Sequence, residues 1–155
     1  MKQSIILFGA LFFGSLIVGG QYVVWWDYDP AGMSSTFYTE KMQHAISVIG
    51  LPLFSVQCTT ALLTIVSAFL ARQNRTELKL LLAASACCIV AVLITIFGNI
   101  PILKEIETWN IGSPPPSWRD LANKWWWIHS VRTCVQVVGL ALVMLSVLRQ
   151  RIRPV

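Results

Sequence analysis

Four long apolar runs alternate with polar connections along the 155-residue chain. They cover about residues 4–24, 45–71, 80–103 and 128–148. Each run is close to the roughly 20 residues that a helix needs to cross the hydrocarbon of a bilayer. Backbone groups in lipid must be hydrogen-bonded within their own segment, so helices are the expected spanning form. The pattern predicts an all-α integral membrane four-helix bundle that forms a single domain over residues 1–155.

Composition supports a lipid-facing protein. The chain is 55% hydrophobic and 12% charged, whereas soluble domains carry about 25% charged residues. The first run begins after Lys2, as a signal peptide would, but it is long and no small-residue cleavage site follows it. It continues instead into QYVVWWDY, which is typical of an aromatic belt at a membrane interface. We therefore interpret the first run as a membrane span.

Basic residues at the helix ends predict the orientation. Four spans place both termini on one side of the membrane, together with the short connection RQNRTELK. The positive-inside rule places this side in the cytoplasm, and we expect the inner (plasma) membrane of a bacterium. The net charge of +5 follows from this topology, so no nucleic-acid partner is expected. The basic residues on the cytoplasmic side are Lys2, Arg72, Arg75, Lys79, Arg149, Arg151 and Arg153.

The two connections on the other side, residues 25–44 and 104–127, are long and rich in aromatic residues, proline and glycine. Long loops often carry function over a rigid scaffold, so we expect the functional end on the outer face. No disulfide-stapled domain is expected there, because every cysteine lies inside a predicted span: Cys58, Cys87, Cys88 and Cys134.

A polar stripe opens the fourth run. His129, Arg132, Thr133 and Gln136 are spaced i, i+3, i+4 and i+7, which places them on one helix face. An arginine inside a span costs about 2.5 kcal/mol or more near the membrane centre. Arg132 is either an interfacial arginine that reaches outward, paired with Asp120, or an inward charge that holds an anionic ligand. Gln136 favours the inward interpretation, because an outward arginine does not explain an amide one turn deeper.

The second helix offers polar partners at the same level. Glu40, Gln43 and His44 share one face at its outer end, and Gln57 lies deeper in the same helix. Side chains that project inward from the outer halves of four helices converge on one cavity, which is where helix bundles build ligand sites.

The end of the third helix and the neighbouring tryptophans complete this predicted cavity. Pro101 removes a backbone donor and frees a carbonyl one turn earlier, near Phe97. Asn99 either bonds such a freed group or faces a ligand. Tryptophans anchor helices at interfaces, and five of them are candidates to cover the cavity: Trp109, Trp118, Trp125, Trp126 and Trp127.

Three motifs carry a family resemblance. GNIPI begins at Gly98, PPSW follows a tryptophan-bearing loop, and W-x-x-x-H-x-x-R-T runs from Trp125 to Thr133. This region, residues 97–136, resembles the anthrone oxygenase-like family of small four-helix membrane proteins, which is catalogued as a domain of unknown function. The first half is compatible with the same family through GALFFGS and F-Y-x-E-x-x-Q-x-A-I.

The resemblance implies oxidation of an anthrone to an anthraquinone by molecular oxygen, with no cofactor. Such a site needs a base, a cation beside the enolate oxygen and a flat apolar slot for a small aromatic molecule. His129 is the predicted base and Arg132 the predicted cation. The acids of the first outer loop exceed what this chemistry needs and leave the substrate open. The predicted substrate-binding residues are Asn99, Gln43, Gln136, Trp109, Trp118 and Trp125.

Two other classes of function stay open. The chain is either a non-enzymatic membrane subunit or transporter-like module, working as a homo-oligomer or within a larger assembly, or a haem- or metal-binding redox protein. Small residues in GALFFGSLIVGG fit close helix packing in an assembly. A redox site would use His44, His129 and Glu40 as ligands. The chain has only two histidines and no C-x-x-C pair, which weighs against it.

Overall fold

The structure is a computed structural model that describes the backbone of residues 2–152 and the side chains of residues 3–149. No strand occurs in this part of the chain. Each of two π-helical turns continues directly into the next α-helix, so the chain forms four long helices. In order, the elements are α1 (Lys2–Asp27), α2 (Ser35–Ala45), the first π-helical turn (Ile46–Gly50), α3 (Leu51–Leu70), α4 (Arg75–Ile94), the second π-helical turn (Thr95–Asn99), α5 (Ile100–Glu107) and α6 (Trp118–Ile152).

All four helices are long and apolar enough to cross a membrane. They cover Gln3–Asp27, Ser35–Leu70, Arg75–Glu107 and Trp118–Arg149, which confirms the prediction of an all-α chain with four spans. Large apolar side chains are exposed along their outer faces, as lipid contact requires. Among them are Phe8, Phe12, Leu51, Phe69 and Phe97.

The expectation of two long outer loops is wrong. Only residues 28–34 and 108–117 lie outside helices at that end. The polar segment α2 is helical because Ser34 caps it, with its Oγ accepting from the N–H of Phe37 at 3.3 Å. Its side chains Tyr38 and Met42 are buried against α5 and α6. Hydropathy identifies long apolar helices and misses a polar helical segment such as α2.

The four long helices pack in a ring. α1 contacts α3 and α6, and α4 contacts the same two helices. Neighbours therefore run in opposite directions, and both ends of the described chain lie together. We call this the terminal end. One buried cluster marks it, formed by residues from all four long helices: Leu7, Ala10, Ala68, Ala71, Leu81, Ala84 and Val143.

The cytoplasmic location of the terminal end stays a prediction. Of the basic residues on which it rests, Arg153 lies outside the described residues, as do the side chains of Lys2 and Arg151.

The opposite end has its own core, and we call it the tryptophan-rich end. The Arg119 guanidinium donates to the backbone oxygens of Pro30 and Met33 at 3.3 and 3.2 Å, which holds the connection 28–34 against α6. The buried residues of this core come from α2, α5 and α6: Tyr38, Met42, Ile102, Ile106, Ala122 and Trp125.

The two π-helical turns share one cause. Pro52 and Pro101 each lie at the second position of the α-helix that follows a turn. A proline inside a helix lacks an N–H, and its ring collides with the carbonyl one turn earlier. A π-helical turn absorbs this misfit and is often found at functional sites. The carbonyl expected to be freed near Phe97 therefore lies inside the second π-helical turn.

Candidate functional site

A cavity of about 320 Å³ lies in the half of the bundle nearer the tryptophan-rich end. Small-molecule sites in proteins range over roughly 300–1,000 Å³, so this space suits a small ligand. All four long helices and both π-helical turns contribute to its wall. Most of the lining is apolar and includes Ile17, Val24, Ile49, Leu53, Phe54 and Leu103.

A hydrogen-bonded chain crosses one side of this cavity. Arg132 donates from Nη2 to His129 Nδ1 at 2.8 Å and from Nη1 to Thr95 Oγ1 at 3.1 Å. Thr95 Oγ1 in turn lies 3.1 Å from Gln57 Oε1. His129 Nε2 lies 3.0 Å from the backbone oxygen of Gln21. The chain thus connects α3, the second π-helical turn, α6 and α1, and links all four long helices.

These partners assign the protonation state of His129. A guanidinium only donates hydrogen bonds, so Nδ1 carries the lone pair, whereas a carbonyl oxygen only accepts, so Nε2 carries the hydrogen. His129 is therefore a neutral Nε2–H tautomer with both nitrogens engaged. Trp125 stacks on the same ring, with centroids 5.1 Å apart and planes at 25°. The imidazole is fixed in position, and only 1% of the residue is exposed.

Arg132 carries a positive charge without a negative partner. Its hydrogen-bond partners, His129 and Thr95, are both neutral, and no described carboxylate forms an ion pair with it. Its Nε is buried and has no hydrogen-bond partner. A cation inside a span without a counter-charge is costly. The charge therefore faces the interior and favours an anion in the cavity.

Three buried amides add unpaired polar atoms to the same wall. Gln21, Gln57 and Asn99 all line the cavity and are at most 2% exposed. Both polar side-chain atoms of Gln21 and of Asn99, and Nε2 of Gln57, have no partner. Each such buried group costs about 1–3 kcal/mol unless it is satisfied. The wall therefore presents donors and acceptors to whatever occupies the cavity.

One ion pair lies beside a lining residue of the cavity, Tyr28. Lys41 Nζ lies 2.8 Å from Asp27 Oδ1 and 4.7 Å from the centre of the Tyr28 ring. Tyr28 also lines the cavity. Partial burial and the neighbouring Asp27 raise the pKa of the Tyr28 hydroxyl above its ordinary value, so it keeps its proton.

Four residues that the sequence predicts for the site meet at the cavity wall. They are Asn99, Trp125, His129 and Arg132. Four others lie away from it: Gln43, Gln136, Trp109 and Trp118.

These four contact other parts of the protein. Gln43 Nε2 donates to the backbone oxygens of Ile106 and Trp109, both at 2.9 Å, and so caps the last turn of α5. Trp109 and Trp118 pack against the buried core of the tryptophan-rich end. Gln136 is buried one turn deeper, where its Nε2 lies 3.7 Å from a cysteine sulfur of α4.

The proposed metal ligands do not converge. His44 and Glu40 are exposed, whereas His129 is buried with both ring nitrogens hydrogen-bonded. Within the described residues, no three His, Cys, Asp or Glu side chains lie close enough together to hold a metal ion.

Two residues of the cavity wall, Gln21 and Thr95, are not among those that the sequence predicts for the site. An amide within an apolar run was the available signal for Gln21. For Thr95 the available signal was a proline six residues later. Gly-Leu-Pro at 50–52 and Asn-Ile-Pro at 99–101 each mark the end of a π-helical turn, and Thr95 begins the second turn.

Comparison with known proteins identifies the family of the chain. The profile of the family described as anthrone oxygenase matches residues 47–142, more than half of the chain. The match contains the whole of the resembling region 97–136, and with it every site residue from Gln57 to Arg132. Searches of curated proteins and of solved structures gave no match. The chain belongs to the anthrone oxygenase family.

Proposed function

We propose that this protein is a membrane-bound oxidoreductase that uses molecular oxygen to oxidise the methylene group of a small flat aromatic ketone of the anthrone class. Arg132 carries the proposal, because an unpaired cation at the wall of an otherwise apolar cavity suits a ligand that becomes negatively charged. In the reaction the methylene carbon loses two hydrogens and gains one oxygen atom. The second oxygen atom leaves as water.

The first step makes an enolate. An anthrone has an acidic methylene group, and removing one of its protons moves negative charge onto the ketone oxygen. Arg132 Nε and Nη2 then donate to this oxygen. Such preorganised donors act strongly in a site of low dielectric constant, where water does not screen them.

His129 accepts the methylene proton at Nδ1. In the structure this lone pair accepts from Arg132 Nη2 at 2.8 Å. When the ketone oxygen draws Nη2 away, the lone pair becomes free and faces the ligand. The base is therefore released by ligand binding, while the Nε2 hydrogen bond to Gln21 and the Trp125 stack keep the ring in place.

Oxygen reacts with the enolate carbon directly. The carbon supplies the electron pair of a new C–O bond, which leaves a peroxide anion. His129 returns its proton to that anion and gives a hydroperoxide. Loss of water from the hydroperoxide, with removal of the second hydrogen from carbon, gives the second carbonyl of an anthraquinone.

Apolar walls and unpaired amides select the ligand. Trp125 and the aliphatic side chains form a slot for flat rings, and Gln21, Gln57 and Asn99 hydrogen-bond to oxygen atoms at their edges. A site with buried polar groups rejects ligands that leave those groups unpaired.

The location follows from charge. We place the protein in the bacterial inner membrane, with its termini in the cytoplasm and the tryptophan-rich end on the outer face. Lipid and a small aromatic molecule are its expected partners.

Oxygen uptake with anthrone tests the function. Wild-type protein in detergent should consume oxygen and form anthraquinone, which is followed by absorbance. His129→Ala should abolish turnover, whereas His44→Ala should not, because His44 is exposed and outside the cavity.

A visible spectrum and metal analysis of the same sample separate the alternatives. A haem band or a stoichiometric metal would contradict the cofactor-free mechanism. Full turnover of His129→Ala would remove the proposed base. A non-enzymatic subunit would show no turnover, and its His129 and Arg132 variants would change assembly instead.

A further inference from the structure

The cavity reaches the protein surface at a few positions. Three of its lining residues are exposed: Leu51 at the start of α3, and Lys104 and Glu107 on α5. On the side of the terminal end, α3 packs on α4. On the side of the tryptophan-rich end, Gln43 of α2 donates to backbone oxygens at the end of α5. The opening therefore lies between the beginning of α3 and α5, with contacts on both of these sides.

The two π-helical turns differ at this opening. In the second turn, a Cβ added to Gly98 would lie 2.8 Å from Ile128 Cγ2, so α6 closes that side tightly. In the first turn, a Cβ added to Gly50 would meet no atom within 4 Å. Gly50 nevertheless lines the cavity. No neighbouring helix thus covers the wall at Gly50, and we call this uncovered position, with Leu51 beside it, the gap.

The gap lies on an apolar surface. Leu51 is 75% exposed, and Val48 of the preceding π-helical turn is 54% exposed. The apolar run of this helix covers residues 45–71, more than the roughly 20 residues that cross the hydrocarbon. The charged side chains of Lys104 and Glu107 lie at the other edge of the opening. A flat aromatic ketone, apolar in its rings and polar at one oxygen, matches an opening with one apolar edge and one charged edge.

We propose that the gap beside Gly50 and Leu51 is a lateral portal, through which a flat aromatic ketone enters the cavity from the bilayer and not from water. The ligand class rests on the proposed function, whereas the route rests on the open wall. The rings would pass the apolar edge at Leu51, while the ketone oxygen stays at the level of Lys104 before it reaches Arg132.

Two glycines provide a matched test. Gly50 and Gly19 both face open space, so a larger side chain meets no atom at Cβ in either place. Gly19 is exposed on α1 and does not line the cavity. Gly50→Phe should block the portal, and Gly19→Phe should add the same bulk elsewhere. Phenylalanine also adds no indole to a tryptophan fluorescence signal.

Association is measured by stopped-flow quenching of tryptophan fluorescence. The full chain is placed in phosphatidylcholine nanodiscs and mixed with anthraquinone. The signal is the part of the quenching that is lost in Trp125→Phe, because Trp26 and Trp127 are exposed and are quenched from the lipid as well. Gly50→Phe should slow association about tenfold or more, within the one to three decades that association rates span among variants of one site. Gly19→Phe should leave the rate unchanged.

Further variants distinguish the sources of the ligand. Equal association rates in Gly50→Phe and Gly19→Phe would overturn the portal. So would a larger slowing in Glu107→Phe than in Gly50→Phe, because that result places the entrance at the charged end of α5. If Gly50→Phe does not fold, Leu51→Ala replaces it and should speed association, with the exposed Leu62→Ala as its control.

Anthraquinone binding and oxygen uptake are measured separately, so that failure of the portal and failure of the oxygenase function can be distinguished. Anthraquinone binding without oxygen uptake would overturn the proposed oxygenase function and still test the portal through the association rates. A wild-type protein that binds no anthraquinone would overturn the ligand class and, with it, this route.

Discussion

The two halves of the bundle differ in how their buried polar side chains are hydrogen-bonded. Towards the terminal end, small residues let the helices approach closely. A Cβ added to Gly139 of α6 would lie 3.1 Å from Cys87 Cβ and 3.6 Å from the Ala84 backbone oxygen of α4. Towards the tryptophan-rich end, the helices separate around a cavity whose wall carries unpaired amides and an unpaired cation.

Buried hydroxyls in the tightly packed half are satisfied by their own helices. Thr64, Ser67 and Ser85 each donate to the carbonyl four residues earlier, at 2.7–2.8 Å. Ser146 is an exception, with an unpaired hydroxyl. Hydroxyls can bond back to the helix in this way, so they add little demand for a partner elsewhere.

Amides in the open half have no such local solution. Gln21, Gln57 and Asn99 each keep at least one buried atom unpaired. All three line the cavity, so an occupant of the cavity can pair with these atoms. Gln136 Oε1 is also unpaired, although this residue does not line the cavity. Unpaired amides therefore concentrate at the cavity wall without being confined to it.

The largest effect is expected at Arg132. Arg132→Met should lower turnover by a factor of about 10²–10³, the usual cost of removing a donor to an oxyanion. It should also raise the melting temperature, because replacing an uncompensated buried charge by an apolar side chain is stabilising. Oxygen uptake and thermal unfolding in detergent measure both effects.

Arg119→Met is the matched control for that prediction, since Arg119 is exposed at the same end and contacts only the connection 28–34 and Trp118. Its turnover should equal that of wild type. An Arg132→Met protein that unfolds at a lower temperature would contradict the view that this charge is uncompensated.

Overpacking the closed half should cost less than removing Arg132 and should affect only stability. Gly139→Val should destabilise the fold by about 1–3 kcal/mol, because its side chain would collide with Ala84 and Cys87. Gly19→Val, which faces open space, should not destabilise it. Thermal melting of both variants tests this, and equal melting temperatures would show that α4 and α6 can move apart freely.

Two glutamines should respond in opposite directions. Gln21→Leu removes two unpaired buried atoms and should stabilise the fold by about 1 kcal/mol, while it weakens anthraquinone binding about tenfold. Gln43→Leu removes the cap of α5 and should destabilise the fold by a similar amount. Melting temperatures and fluorescence titrations measure the two responses, and a destabilised Gln21→Leu protein would mean that its amide has a partner.

The smallest effect is expected from a hydroxyl of the closed half. Ser85→Ala should change the free energy of unfolding by less than about 1 kcal/mol and leave turnover unchanged. A loss of turnover there would show that the closed half takes part in the chemistry and would break the comparison.

Lipid explains why the four helices could be predicted from the sequence. A span must be apolar on its outer surface and helical in its backbone. The hydropathy of a run such as residues 80–103 is therefore enough to predict a spanning helix. The helix α2 is polar and has no such signature, since it is stabilised by its Ser34 cap and by Tyr38 in a local core. Its helical structure depends on neighbours that a linear pattern does not display.

The site was predictable where one helix face was enough. The spacing of His129 and Arg132 placed both side chains on one face, and both line the cavity. Gln43 and Gln57 lie on one helix as well, but Gln43 meets the free carbonyls at the end of α5 and Gln57 meets the second π-helical turn. Which glutamine keeps an unpaired atom depends on where a different helix ends, and this information is absent from the local sequence.

The unpaired charge of Arg132 couples folding to the ionisation of the ligand. An empty cavity leaves that charge without a counterion, whereas an anionic ligand supplies one, and any ligand that binds only the folded state stabilises it in proportion to its affinity. Neutral and anionic ligands of the same shape should then raise the melting temperature by different amounts. The shift of the melting temperature would then report the charge of the bound molecule, even where no reaction takes place.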